Sequence, residues 1–219
     1  MSGDRGLELP AGRFTTWLGE IGPAVRGEGT ADVPCGSCAA CCEASYFIHV
    51  GPDETDALAH LPAELLFPAP GLPPGHVLMG YDEHGRSPML VEGRCSVYEH
   101  RPRTCRTYDC RVFAATGVVD DDPTKQGVAR QARRWRFEES DETDAVLHAA
   151  VRAAAAYLSD RVGDLPRDVV PGTATGRAVL AVGVHETFLA GGAVRDDVRP
   201  DEVVAAITAL RGPSSPDRH

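Results

Sequence analysis

The chain has 219 residues, 42% hydrophobic and 25% charged, a soluble globular composition with room for one core or two small domains. No apolar run reaches the ~20 residues of a membrane span, and a net charge of −10 argues against general nucleic-acid binding. The opening Met1-Ser2-Gly3-Asp4-Arg5 lacks the apolar stretch of a signal peptide, so a cytoplasmic protein with reduced cysteines is expected.

Phe14, Trp17, Leu18 and Ile21 follow helical spacing and predict one short helix, after which Gly22 to Thr30 is Gly-rich. Ser45 to Val50 has strand propensity. Gly51-Pro52-Asp53-Glu54 marks a helix start, and Pro62 stops that helix. Residues 68–75 hold four prolines and two glycines and read as a loop. His76–Tyr81 and Ser87–Glu92 read as two strands of a hairpin joined by Asp82-Glu83-His84-Gly85, and a second turn at Glu92-Gly93 delivers Cys95. Beyond Asp120-Asp121-Asp122-Pro123, a segment containing Arg130, Arg133, Arg134 and Arg136 around Trp135 and Phe137 reads as helical. Ser140 is placed to cap a long helix whose Val146, Leu147, Ala150, Val151, Ala154, Tyr157 and Leu158 form one apolar stripe. A further helix is expected over Ala178–Leu189, and Pro200 opens the last, with Val203, Ile207 and Leu210 on one face.

These elements predict an α+β class, helix-dominated, with a loop-rich, metal-stapled cysteine-cluster region containing a small β-hairpin. Three segments are expected: residues 1–30 as an N-terminal helix and linker, 31–122 as the cysteine-cluster metal-binding domain, and 123–219 as a helical C-terminal region packing on it, with a loose tail from about 213.

All seven cysteines lie between positions 35 and 110. Cys35-x2-Cys38-x2-Cys41-Cys42 forms one group, and Cys95, Cys105 and Cys110 form the other. A two-residue spacing lets successive sulfurs turn toward one centre while backbone amides satisfy them, which suits zinc or an iron–sulfur cluster. Three such cysteines in one run resemble a ferredoxin-type run more than a zinc-finger half-site, with Cys95, Cys105 or Cys110 available as a fourth ligand to a [4Fe-4S] cluster. Neighbouring side chains diverge, so one of Cys41 and Cys42 is expected to face a second metal, reach a cluster from another side, or be a reactive thiol. The Cys-x3-Cys-x2-Cys spacing of radical-SAM enzymes is absent. Buried unligated thiols or disulfides are the competing reading, disfavoured by the odd count and the expected reducing compartment.

Between Arg94 and Arg136 there are nine Arg and one Lys against five acidic residues. Arg101, Arg106 and Arg111 are placed in sequence to offset thiolate charge, and Tyr98 to stand beside it. Cys35-x2-Cys38-x2-Cys41-Cys42, followed by Gly93-x-Cys95-x2-Tyr98-x2-Arg101-Pro102-x2-Cys105-Arg106-x-Tyr108, resembles the CxxCxxCC family of YkgJ-like cysteine-cluster proteins. The resemblance covers about residues 33–112. It implies chelation of zinc or iron. Some members are called iron–sulfur oxidoreductases, and a flagellin lysine N-methylase carries such a cluster, so an iron–sulfur-dependent or protein-modifying enzyme is the alternative expectation. Cys110 departs from the pattern of many relatives.

The other motifs are sparse. The histidines show no paired ligand spacing, and His100, five residues from both Cys95 and Cys105, is the one best placed to join the cysteines. No phosphate-binding Gly-rich loop, nucleophile elbow or Rossmann fingerprint is present. The Arg-rich segment 130–136 is the candidate surface for a protein partner; solvated arginines around packed aromatics are the competing reading.

Overall fold

A computed structural model describes residues 7–26, 33, 37–161, 163–166 and 169–211. In chain order the elements are β1 (Leu9–Arg13), α1 (Phe14–Val25), β2 (Ile48–Val50), α2 (Thr55–His60), β3 (Leu66–Pro68), β4 (Val77–Met79), β5 (Leu90–Val91), β6 (Arg94–Cys95), α3 (Arg103–Thr107), α4 (Arg111–Thr116), α5 (Gln126–Ala132), β7 (Trp135–Glu138), α6 (Glu142–Asp160), α7 (Ala174–Val184), β8 (Leu189–Ala190), β9 (Ala193–Val194) and α8 (Pro200–Arg211). Helix at about 49% outweighs strand at 14%, so the fold is α+β and helix-dominated, as the periodicity predicts. Residues 27–30 of the Gly-rich linker and the tail expected from about 213 lie outside the described residues. No described helix is long and apolar enough to cross a membrane.

The chain divides into two units. The first comprises Met1–Gly29, Cys110–Asp120 and Ala129–Arg218. In α1 the four residues at helical spacing, Phe14, Trp17, Leu18 and Ile21, are the buried ones. β1 pairs in parallel with β7, with Leu9 opposite Trp135 and Arg13 opposite Glu138. The expected helix around Trp135 is therefore corrected: α5 ends at Ala132 and the chain turns into a strand. A partner more than a hundred residues away decides this, not local propensity. Phe137 meets Phe14 edge-on at 5.2 Å and Trp17 at 4.8 Å, which seats the strand on α1. α6 contributes Ala150, Val151, Ala154 and Leu158 to a core shared with Leu180, Ala181 and Val184 of α7 and Val203 and Ile207 of α8. Its cap is Asp141 rather than Ser140: the Asp141 carboxylate accepts the Asp144 backbone N–H at 3.0 Å. α7 starts four residues earlier than expected because Thr173 caps it through Gly176 N at 3.1 Å, and after Val184 the chain tightens into a 3-10 turn over His185–Phe188. The two helices α7 and α8 approach closely at Gly183, where a Cβ would fall 2.4 Å from Leu210 Cδ2.

The second unit comprises Thr30–Asp109 and Asp121–Val128. Its sheet has the order β2-β4-β3, all antiparallel, with Met79 opposite both Ile48 and Leu66. The hairpin expected between His76–Tyr81 and Ser87–Glu92 is not formed. The turn at Asp82–Gly85 exists, closed by Gly85 N to Asp82 O at 2.9 Å and Asp82 N to Arg86 O at 2.8 Å. The strands flanking it separate, β4 into the three-stranded sheet and β5 against β6. The small hairpin of this fold is thus β5–β6, turning at Glu92-Gly93. Both residues are left-handed (φ +49° and +74°), the type I′ geometry that matches strand twist and favours Gly. Under the sheet, Val50, Ala57, Leu61 and Met79 form a small buried core, against which partly buried side chains such as Ile48, Leu58, Leu66 and Val77 pack.

Candidate metal centre

Three chain segments bring cysteines to one cavity in the second unit. Cys41 and Cys42 ride on a 3-10 turn over Ala40–Glu43, preceded by Cys38. Cys95 ends the β5–β6 hairpin, opposite Leu90. Cys105 is the central residue of α3. These five thiols line a cavity of about 560 Å³, with Met79, Met89, Val97, Tyr98, Arg101 and Tyr108 among the remaining walls. Cys35 lies outside the described residues. The six described cysteines carry no disulfide, and each is half-buried.

Local hydrogen bonds explain how each segment is held. Ser87 N donates to Cys42 O at 2.6 Å, and Ser45 N to Gly85 O at 2.9 Å, so the Asp82–Gly85 turn clamps the chain just after the Cys41-Cys42 pair. Lys125, the single lysine, donates to Ala44 O and lies 4.0 Å above the Tyr46 ring, whose hydroxyl meets that of Tyr108 at 3.0 Å. α3 is fixed at its N-terminal end. The buried Glu54 carboxylate accepts Gly51 N at 2.9 Å and the Arg103 backbone N–H, satisfying the open N-terminus of the helix that bears Cys105. Thr104 Oγ1 donates to His49 O of β2 at 2.8 Å, and Asp53 pairs with the Arg103 guanidinium. Glu54, Thr104 and Lys125 were not legible as site residues, because each acts on backbone 49 to 81 positions away. The nearest signal, an acid in the first turn after Gly51-Pro52, has an ordinary local meaning.

The surroundings of two of these thiols favour their protonated forms. Burial pushes the Cys105 thiol up to about 12, helped by the charges of Cys41 and Cys95, while Arg101 opposes the shift. Cys41 is pushed far above the ordinary thiol range, first by its hydrogen bond with Cys42, then by burial and by the Cys42 charge. Burial and the neighbouring thiols thus disfavour the thiolate form at both residues, whereas a bound metal would favour it.

The other expected site residues are dispersed. Arg101 stands at the cavity with its Nε donating to Tyr98 O at 2.8 Å and its guanidinium 3.7 Å from the Tyr98 ring centre. Arg106 is not among the lining residues; its charge acts on Asp56, and its buried Nε has no hydrogen-bond partner. Arg111 is buried in the first unit, donating to Ala11 O. Cys110 also belongs to the first unit, where the Trp135 indole N–H points at its Sγ, 3.3 Å away. His100 turns to Asp56, at 3.0 Å. In the Arg-rich segment, Arg134 donates to Leu7 O at 3.0 Å and Arg136 pairs with Glu8 at 3.0 Å, so two of its four arginines serve the β1–β7 pairing.

The donor set is all sulfur, which selects soft and borderline metals. Sulfurs on one tetrahedral zinc stand about 3.8 Å apart, given Zn–S bonds near 2.3 Å. Among the described residues, no three cysteine sulfurs lie within 4.8 Å of one another. The thiols are spread around the cavity wall instead. Comparison of the chain with family models, with curated proteins and with solved structures returned no match.

Proposed function

We propose that this chain is a metal-binding cysteine-cluster protein whose thiol-lined cavity holds an iron–sulfur cluster. The observation that carries the reading is the convergence of Cys38, Cys41, Cys42, Cys95 and Cys105, from three separate segments, on one cavity of about 560 Å³. A single ion fills little of such a space, since a water molecule takes only ~30 Å³. A polynuclear cluster places each cysteine on its own metal and so holds the sulfurs further apart than one ion does. Arg101 at the wall supplies positive charge against the thiolates. By sequence spacing alone Cys35, separated from Cys38 by two residues, is a further candidate, and the resemblance to the zinc- or iron-chelating CxxCxxCC proteins supports the same reading.

Protein purified without air should be brown, with iron and acid-labile sulfide in similar amounts. Cys38→Ser and Cys105→Ser should each lower the metal content, and Cys110→Ser should leave it unchanged. Zinc without iron or sulfide in such a sample would exclude the cluster and leave simple thiolate chelation. A metal-free protein with unaltered thermal stability would exclude both.

A further inference from the structure

We propose a second metal site in the same unit, outside the thiol cavity, formed by Asp56, His60 and His100 and suited to a borderline divalent ion such as zinc. It does not rest on the cysteine reading. α2 places Asp56 and His60 four residues apart on one face. The 3-10 turn over Tyr98–His100 brings in the third side chain. His100 Nδ1 lies 3.0 and 3.2 Å from the two Asp56 carboxylate oxygens, and His60 Nδ1 lies 3.6 Å from Oδ1. The three donor atoms all fall within 4.8 Å of one another, the one such group among the described residues. With zinc–nitrogen and zinc–oxygen bonds near 2.0–2.2 Å, neighbouring ligands on a tetrahedral ion stand about 3.3 Å apart. The two Asp56–histidine separations bracket that value, and the three donors together stay within 4.8 Å.

The metal-free arrangement has its own logic. His60 Nδ1 donates to the Asp56 carbonyl at 2.8 Å and His100 Nδ1 to the Asp56 carboxylate, since neither oxygen can donate. The two rings are stacked, their centres 3.4 Å apart and their planes 3° from parallel. Parallel rings do not aim their lone pairs at one point, so binding requires the imidazoles to rotate. Both side chains are partly exposed, 43% and 38%, and have room to do so. On binding, each ring would carry its proton on Nε2 and give the Nδ1 lone pair to the ion. Two imidazoles and one carboxylate favour zinc or nickel over magnesium or calcium. The Arg106 charge acts on Asp56 and competes with the ion for it. Occupation would tie α2 to the turn lying between Cys95 and Cys105.

The test is equilibrium dialysis of the full-length protein, as purified, against Zn²⁺, with cysteine-bound metal measured beforehand. One additional Zn²⁺ per chain is expected. It should be lost in His60→Ala and in His100→Ala, and bound roughly tenfold or more weakly in Asp56→Asn. It should persist in Cys105→Ser, while the metal held by the cysteines stays constant in the three surface variants. His60→Gln and His100→Gln, which keep size and polarity, repeat the loss without a cavity. No additional Zn²⁺, or an additional Zn²⁺ that survives both histidine substitutions or disappears with Cys105→Ser, would overturn the site.

Discussion

Cys105 is where burial, two neighbouring thiols and one guanidinium act on a single proton. Its thiol keeps that proton up to about 12, and Cys41 keeps its own to still higher pH. Each must give it up when metal arrives, so binding at neutral pH expels at least two protons and affinity climbs as pH rises. The direction holds even if the metal-free unit loosens, because an unfolded thiol still releases its proton only near ~8.5. Zn²⁺ added to metal-free protein at pH 7 in weak buffer should therefore release two or more protons per thiolate-bound ion, read with a pH indicator. Cys105→Ser should lower the count by one. Zinc uptake by the cysteines without acidification would show that they are already thiolates, against the burial seen here.

At the scale of elements, Asp144 joins the starts of two helices. Its fully buried carboxylate accepts Thr15 N of α1 at 3.0 Å, Ser140 N ahead of α6 at 2.8 Å and Arg13 Nε at 2.9 Å. Burial alone would raise its pKa; the hydrogen bonds from Thr15, Ser140 and Arg13 overcome burial and hold it well below the usual carboxylate range. The folded state thus binds fewer protons than the unfolded chain. This contribution is fully present above the unfolded carboxylate value of ~3.9 and is lost as pH falls below it. Asp144→Asn should lower the melting temperature at pH 7 by roughly 10 °C and flatten the pH dependence of stability below pH ~4, both followed by circular dichroism. Equal acid sensitivity in the variant would place the stabilisation elsewhere. The sequence reveals such helices readily, because the stripes of α1, α6 and α8 are local. It also reveals both turns, Asp82–Gly85 and Glu92-Gly93, which depend on residues within the turn. Strand partners are another matter. Met79 pairs across to Ile48 and Leu66, and Trp135 to Leu9, and no local pattern in His76–Tyr81 or around Trp135 distinguishes those partners from the nearer ones. The thiol run of the candidate site is legible for the same reason as the helices. Glu54, Thr104 and Lys125, which hold its walls, become visible only once the chain has closed on itself.

On the scale of the whole molecule, the two units differ in what can hold them. The first carries an extended apolar core running from Ala150 through Leu180 to Ile207. The second has a smaller cluster of four buried side chains, with partly buried neighbours packed on it, under a sheet of three-residue strands, and carries the thiol-lined cavity. On the proposed reading, metal bound by the thiols adds folding energy to this small core. Both tryptophans, Trp17 and Trp135, are buried in the first unit, whereas four of the five tyrosines, Tyr46, Tyr81, Tyr98 and Tyr108, lie in the second and only Tyr157 in the first. The two units can therefore be watched separately. Removal of metal by a chelator at neutral pH should abolish a thermal transition seen by tyrosine absorption and circular dichroism. Tryptophan emission should keep its wavelength, and its own melting transition should move by no more than a few degrees, roughly what ~1 kcal/mol produces. Cys110, beside the Trp135 indole, makes this a sensitive control, since a metal held by Cys110 would change that emission on removal. A red shift of tryptophan emission concurrent with metal loss would mean that the thiolate centre stabilises the whole chain and not the cysteine-bearing unit alone.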